Sequence, residues 1–206
     1  DIGGGTTDIA IFTDGDIKHT AVIPQAGQLV TNDIRIGLRT SLEAAEDIKK
    51  KYGSLINEPN DAQINISVPS ISDKPDSEIS KPSLTHIVTC RIDEIFHQIE
   101  KEINDSGWAS KIRAGIVFTG GGCKLNGLDT YAENKLLMPT RIGSPKDIIG
   151  IQNLSGQTRY STAVGLLLYK DEKLSDMPHR QKSDNPVIKY IDTIWNKFSI
   201  YFQREL

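Results

Sequence analysis

Ile9, Ala10, Ile11 and Phe12 form a short apolar run, which breaks at Asp14-Gly15-Asp16, and strand-like residues resume over 17–23. Strand-like runs on both sides of a glycine-containing turn predict an antiparallel hairpin, ended by Pro24. From Thr31 the spacing lengthens. Ile34, Leu38, Leu42, Ala45 and Ile48 fall on one face of a single helix, capped by Thr31 or Asn32 and stopped at Gly53. Lys49, Lys50 and Lys51 sit at the negative end of its dipole. Residues 54–80 are polar and punctuated by Pro59, Pro69 and Pro75, so residues 63–68 and the neighbourhood of Ile71 read as a small hairpin or edge sheet.

A second helix opens at residues 80–82 and runs to about Asn104, with Leu84, Val88, Ile92, Ile95, Ile99 and Ile103 as its stripe. Residues 115–119 form a short apolar strand of the kind buried on both faces. Gly120, Gly121 and Gly122 follow, then a helix over residues 128–137, a short strand at 140–142 and a largely buried helix over 158–168. Residues 170–186 lose all apolar periodicity and read as a disordered linker. Periodicity returns in residues 187–206, where Ile188, Ile191, Ile194, Trp195, Phe198, Tyr201 and Phe202 recur at steps of three and four. Such a tethered amphipathic helix has three candidate partners: its own domain, a partner groove or a membrane surface. Three basic against two acidic residues leave lipid charge little to add, and burying the apolar face contributes several kcal/mol, so one copy binds a bilayer reversibly and an array firmly.

The 206 residues are long enough to bury a sizeable core. A net charge of −3 and the lack of a basic stripe argue against nucleic acid as a partner. Two cysteines, Cys90 and Cys123, give no disulfide framework and fit a reducing compartment. Four scattered histidines make a His/Cys metal centre a poor expectation. The sequence starts without methionine, in what reads as the middle of a strand and turn, which leads to the expectation that it is the back part of a longer protein.

Candidate chemistry concentrates in glycine runs. In DIGGGTTD, Gly3, Gly4 and Gly5 stand between two strand-like pieces, where a chain free of Cβ atoms leaves several N–H groups able to face one anion. Thr6 and Thr7 flank the run, and Asp1 suits a metal-bound phosphate because a carboxylate holds water on Mg²⁺. The same residues also make a plain hairpin turn. GGGCKLNGL repeats the theme: a strand, a glycine turn and a helix N-terminus make either a polar-ligand site or a packing corner. Glu46 and Lys49, three apart on one helix, are either an exposed ion pair or a pair reaching ribose hydroxyls.

In combination, DIGGGTTD, the helix with Glu46 and Lys49, GGGCKLNGL and YSTAVGLL resemble the second half of the actin and heat-shock-chaperone ATPase superfamily. With the polar linker and terminal amphipathic helix, the chain resembles the FtsA family of bacterial division proteins over essentially its whole length. The fold implied is α/β, the second half of an actin-like (ribonuclease H-like) ATPase domain with a small α+β subdomain. The inner part is 1–36 with 106–169, the outer part 37–105, followed by the linker 170–186 and a membrane-targeting helix 187–206. The resemblance implies ATP and Mg as cofactors, with Asp1 near the metal through water and the backbone of Gly3, Gly4, Gly5, Thr6 and Thr7 around the phosphates. Glu46 and Lys49 then take the ribose and adenine side, and Gly120, Gly121 and Gly122 the adenosine motif. Ala26-Gly27-Gln28 departs from the paired glycines usual in the family.

The function implied is a cell-division adaptor that polymerises and ties the FtsZ ring, through the FtsZ C-terminal tail, to the cytoplasmic face of the cell membrane at the division site, alongside other division proteins. Any ATPase activity is weak, and the opposite wall of the nucleotide cleft is expected ahead of Asp1, so this chain alone binds ATP weakly or not at all. The rival is an ATP-dependent enzyme or chaperone-type ATPase of the same superfamily whose terminal helix packs on its own domain.

Overall fold

A computed structural model describes residues 1–71, 75–112, 114–146 and 156–176, with side chains up to residue 168. The helix read at 187–206, with Ile188, Ile191, Ile194, Trp195, Phe198, Tyr201 and Phe202, lies outside the described residues. The chain divides into two units, Asp1–Val164 and Gly165–Leu206. Within the first, β1 (Thr7–Thr13) and β2 (Asp16–Ile23) form an antiparallel hairpin in the register Thr7↔Ile23 and Ile9↔Ala21. Asp14 and Gly15 turn it with φ of 56° and 85°, the positive pair that a tight two-residue hairpin turn requires.

The long helix α3 (Lys81–Asp105) is the spine of the core. Its expected stripe is buried throughout: Leu84, Val88, Ile92, Ile95, Ile99 and Ile103 are all at most 5% exposed, and Phe96, outside that stripe, is buried with them. Ser80 caps it, its hydroxyl accepting from Ser83 N at 3.4 Å, and Pro82 stands in the first turn, where its missing N–H leaves no bond unmade. Phe96 stacks on Phe118 at 5.6 Å between ring centroids and meets Tyr131 at 6.2 Å, which ties α3 to β5 (Ile116–Phe118) and α4 (Leu128–Leu136). β5 pairs in parallel with β6 (Thr140–Ile142).

The helix expected to run unbroken to Gly53 is two helices, α1 (Gly27–Leu38) and α2 (Leu42–Tyr52). Arg39 adopts a left-handed conformation with φ 53°, Thr40 is fully buried with its hydroxyl on Pro69 O at 2.7 Å, and Ser41 caps α2 by accepting from Ala44 N at 3.1 Å. The local cap at Ser41 therefore outweighs the apolar periodicity that crosses it. Nor is α1 capped by Thr31 or Asn32. It begins at Gly27, where the N–H groups of Gly27 and Gln28 donate to Gly3 O at 3.1 Å and Gly4 O at 2.8 Å. The orphan donors of the helix are satisfied by the glycine turn.

β3 (Asn65–Val68) pairs with β4 (Ser77–Ser80), so the second strand lies beyond Ile71, which is 68% exposed. Asp61, buried, accepts from Lys81 Nζ at 2.7 Å and from Glu58 N at 2.9 Å, fixing the loop before β3 to the start of α3. α5 (Ser161–Asp176) extends past Lys170, into the stretch read as linker, and along it Val164 is buried while Leu166, Leu167 and Leu168 are exposed.

β1 and β5 do not pair directly. Residues Asp1 and Ile2 lie between them: Ile2 N donates to Thr119 O at 2.8 Å, and Asp1 and Asp8 exchange N–H···O bonds at 2.8 and 2.9 Å. Beyond this bridge an apolar groove of about 840 Å³ separates the two strands, with Ile99 and Ile103 of α3 among its lining.

Candidate functional site

The turn after Ile2 is closed by Gly3 N donating to Thr6 O at 2.9 Å. Gly4, Gly5 and Thr6 are exposed, and among the described residues no acceptor meets their N–H groups. A Cβ added at Gly4 or Gly5 would meet nothing within 4 Å, so the space beside these two glycines is open. Successive unpaired N–H groups on a tight turn make an anion-binding concavity. The packing of α1 on Gly3 and Gly4 holds it in place.

The two threonines differ. Thr6 Oγ1 donates to Asp8 Oδ2 at 3.1 Å on the exposed side. Thr7 is buried and donates to Gln25 O at 2.7 Å, so its hydroxyl braces the end of β2 instead of facing the open turn.

The second glycine run packs against the first. Gly120 has φ 93°, and a Cβ there would stand 2.2 Å from Asp1 Oδ1 and 2.5 Å from Ile2 O. At Gly122 it would stand 2.4 Å from Ile2 Cγ2. Those two glycines are required by close approach to Asp1 and Ile2, whereas Gly121 has open space before it. The packing-corner reading of this run thus holds for Gly120 and Gly122.

Asp1 is held from a further direction. Thr162 Oγ1 donates to Asp1 Oδ2 at 2.6 Å, beside Ser161, whose hydroxyl lies 2.5 Å from that of Thr119. Thr158 O accepts from Gly120 N at 3.3 Å and from Ser161 Oγ at 2.8 Å. These hydroxyls tie the start of α5 to both glycine runs. Cys123, just after them, is buried with its thiol 2.8 Å from Thr119 O, and burial pushes that thiol up to about 12, so it stays protonated.

On the other side, Lys49 Nζ donates to Gly27 O at 3.1 Å and to Thr31 Oγ1 at 2.7 Å and pairs with Glu46 Oε2 at 2.7 Å. Burial opposes ionisation of Glu46. Hydrogen bonds from Lys49 and Thr31, with the charges of Lys49 and Lys50, outweigh it and hold the carboxylate below its ordinary range. The expected ion pair therefore exists, but it is anchored to the first turn of α1 rather than free on a helix surface. Asp1, the first glycine turn, Glu46, Lys49 and the second glycine run converge through Gly3, Gly27 and Gly120. Thr31 and Thr162, which the sequence reading did not assign to the site, join them, and no spacing rule marks either one.

The fold places the chain among the actin-like ATPases. It resembles MreB5 of Spiroplasma citri in a crystal structure bound to AMPPNP, with a TM-score of 0.69 and 25% identity, covering 85% of this chain and 52% of that one. It also resembles MamK in a double helical filament, with a TM-score of 0.55 and 19% identity over 70% of this chain and 48% of that one. Within this class, the family model described as cell division protein FtsA matches residues 1–165, and the chain belongs to that family. Cell division protein FtsA of Pseudomonas aeruginosa is 47% identical over 176 residues, covering 85% of this chain and 42% of that protein. The FtsA of Escherichia coli K12 is 35% identical over 179 residues, covering 84% and 43%. The chain thus spans less than half the length of these curated relatives. No helix among the described residues is long and apolar enough to cross a membrane.

Proposed function

We propose that this chain is the part of an actin-like division adaptor that receives the phosphates and ribose of ATP. The observation that carries the reading is the open row of unpaired N–H groups on Gly4, Gly5 and Thr6, next to the carboxylate of Asp1. The donor set fits the group: amide N–H groups take phosphate oxygens, and Asp1 holds water on Mg²⁺. Bound Mg-ATP supplies the charge and bulk that join two domains across a cleft. The residues here bind and orient it, with Glu46 on the sugar side and Gly121 open beside the adenosine.

Within the division apparatus, the outer part 37–105 receives the FtsZ C-terminal tail, the actin-like body self-associates into filaments, and residues 187–206 dock peripherally on the cytoplasmic face of the membrane. Filament formation multiplies a modest single-helix affinity, because each added copy raises the effective concentration of the rest.

Calorimetry on the full-length protein is expected to give Mg-dependent ATP binding, with little or none for residues 1–206 alone. Tight binding by the isolated chain would show that no opposing wall is needed. Deleting residues 187–206 is expected to abolish co-sedimentation with liposomes while the remainder stays folded. Unchanged sedimentation would remove the tether from the proposal.

A further inference from the structure

α3 buries one face in the core, with Leu84, Val88, Ile92 and Ile95 at most 1% exposed, so its backbone is held along its length. Outside that buried stripe it carries His86 and Cys90, both exposed. They stand four residues apart, the spacing at which helix side chains meet, and helical side chains lean toward the N-terminus, which brings the Cys90 thiol back over the His86 ring. Cys90 Sγ and His86 Nε2 lie 3.8 Å apart.

That separation fits the bite of a metal ion. A tetrahedral zinc, about 2.3 Å from sulfur and about 2.0–2.1 Å from an imidazole nitrogen, sets those two atoms about 3.6 Å apart. Thiolate and imidazole are also the ligands that favour Zn²⁺ and its neighbours over Mg²⁺, which takes oxygen. A cation entering between the two atoms displaces the thiol proton: thiol, neutral imidazole and the free cation become a thiolate–metal–imidazole bridge and one released proton.

Scattered histidines argue against a closed centre, but an open one needs only two ligands a helical turn apart. Among the described residues no three His, Cys, Asp or Glu side chains group to hold an ion. Asp93, three residues after Cys90, is engaged by the hydroxyl of Tyr131 at 2.7 Å and by Lys135 Nζ at 2.9 Å. Water therefore fills the remaining positions of the shell.

We propose that His86 and Cys90 form an open binding site for a borderline-soft divalent cation of the zinc class, with two protein ligands from one turn of α3. The site uses none of the residues assigned to Mg-ATP and does not depend on the nucleotide reading.

The test follows alkylation of Cys90 in the full-length protein, read by mass spectrometry of the peptide that carries it, with and without micromolar Zn²⁺. Zn²⁺ is expected to slow that alkylation about tenfold or more, because a metal-bound thiolate is withdrawn from attack. His86→Gln should cut the protection to about twofold or less, whereas His97→Gln, two turns beyond Cys90, should leave it intact. Millimolar Mg²⁺ should give none. Equilibrium dialysis should find one Zn²⁺ fewer per chain in Cys90→Ser, and since both side chains are exposed, neither variant should shift the thermal melt.

Alkylation of Cys90 at the same rate with Zn²⁺ overturns the inference. Full protection in His86→Gln also overturns it, since the thiol then binds without the ring. Equal protection by Mg²⁺ would mark a general ionic effect and defeat the site, as would unchanged Zn²⁺ stoichiometry in Cys90→Ser.

Discussion

The hydroxyl of Thr162 donates to the carboxylate of Asp1 at 2.6 Å, joining the start of α5 to the residue that leads into the first glycine turn. Only one oxygen is taken by this bond. The other lies against Gly120, at the place where a side chain on that residue would stand. Asp1 is therefore oriented on two sides, which suits the proposed hold on metal-bound water.

Replacing Asp1 by Asn in the full-length protein should reduce the Mg-dependent gain in ATP affinity by about tenfold or more, about 1.4 kcal/mol. Thr162→Val, which removes one hydrogen bond worth about 1 kcal/mol, should lower it about fivefold. Titration calorimetry with and without Mg²⁺ reads both. An unchanged Mg dependence in Asp1→Asn would exclude that residue from the metal site.

The glycines should separate by role. Gly120→Ala combines a left-handed φ of 93° with a Cβ driven onto Asp1 and Ile2, and is expected to cost about 2–4 kcal/mol of stability in denaturant unfolding. Gly4→Ala and Gly5→Ala meet no neighbour and should change stability by less than about 0.5 kcal/mol, yet weaken ATP binding by placing a methyl before the open N–H groups. Full affinity in both alanine variants would count against the phosphate role of the turn.

Asp61 should make stability acid-sensitive. The hydrogen bond from Lys81, and then that from Glu58 N, hold its folded-state carboxyl below the ordinary carboxylate range. Its contribution is therefore present above an unfolded value of about 3.9 and is lost as pH falls through the folded one. Thermal melts should show Asp61→Asn less stable than the parent at pH 7, with the gap narrowing toward pH 3. A constant gap would mean that the Lys81 contact is not what stabilises the pair.

The cysteines should differ in reactivity. Cys90 is exposed, whereas Cys123 is buried and its thiol is raised to about 12. A thiol reagent at pH 8 should modify Cys90 in the folded protein and reach Cys123 only in denaturant. Rapid labelling of both in the native state would show that the Thr119–Cys123 corner opens readily.

How much of this was legible varies with the range of the interactions involved. The stripe of α3 and its opening at residues 80–82 could be read because a helix face repeats within four residues and a proline marks the first turn. The β1–β2 hairpin was equally local. The break between α1 and α2 was missed because Leu38 and Leu42 keep helical spacing across it, while its cause is a left-handed Arg39 and a buried Thr40 bound to Pro69. The start of α1 was misplaced for a similar reason: its first N–H groups are satisfied by carbonyls of Gly3 and Gly4.

For the site, residue type and local order already held the two glycine runs, the acid at Asp1 and the Glu46–Lys49 pair, since each depends on backbone freedom or charge within a few residues. Their division of labour came from packing. Gly120 and Gly122 are glycines because Asp1 and Ile2 lie against them, Thr7 turns inward to Gln25, and Thr31 and Thr162 enter the site from α1 and α5. A threonine carries no periodic signal and a hydrogen bond has no sequence spacing, so contacts between residues as far apart as Asp1 and Thr162 exist only once the chain has closed on its core.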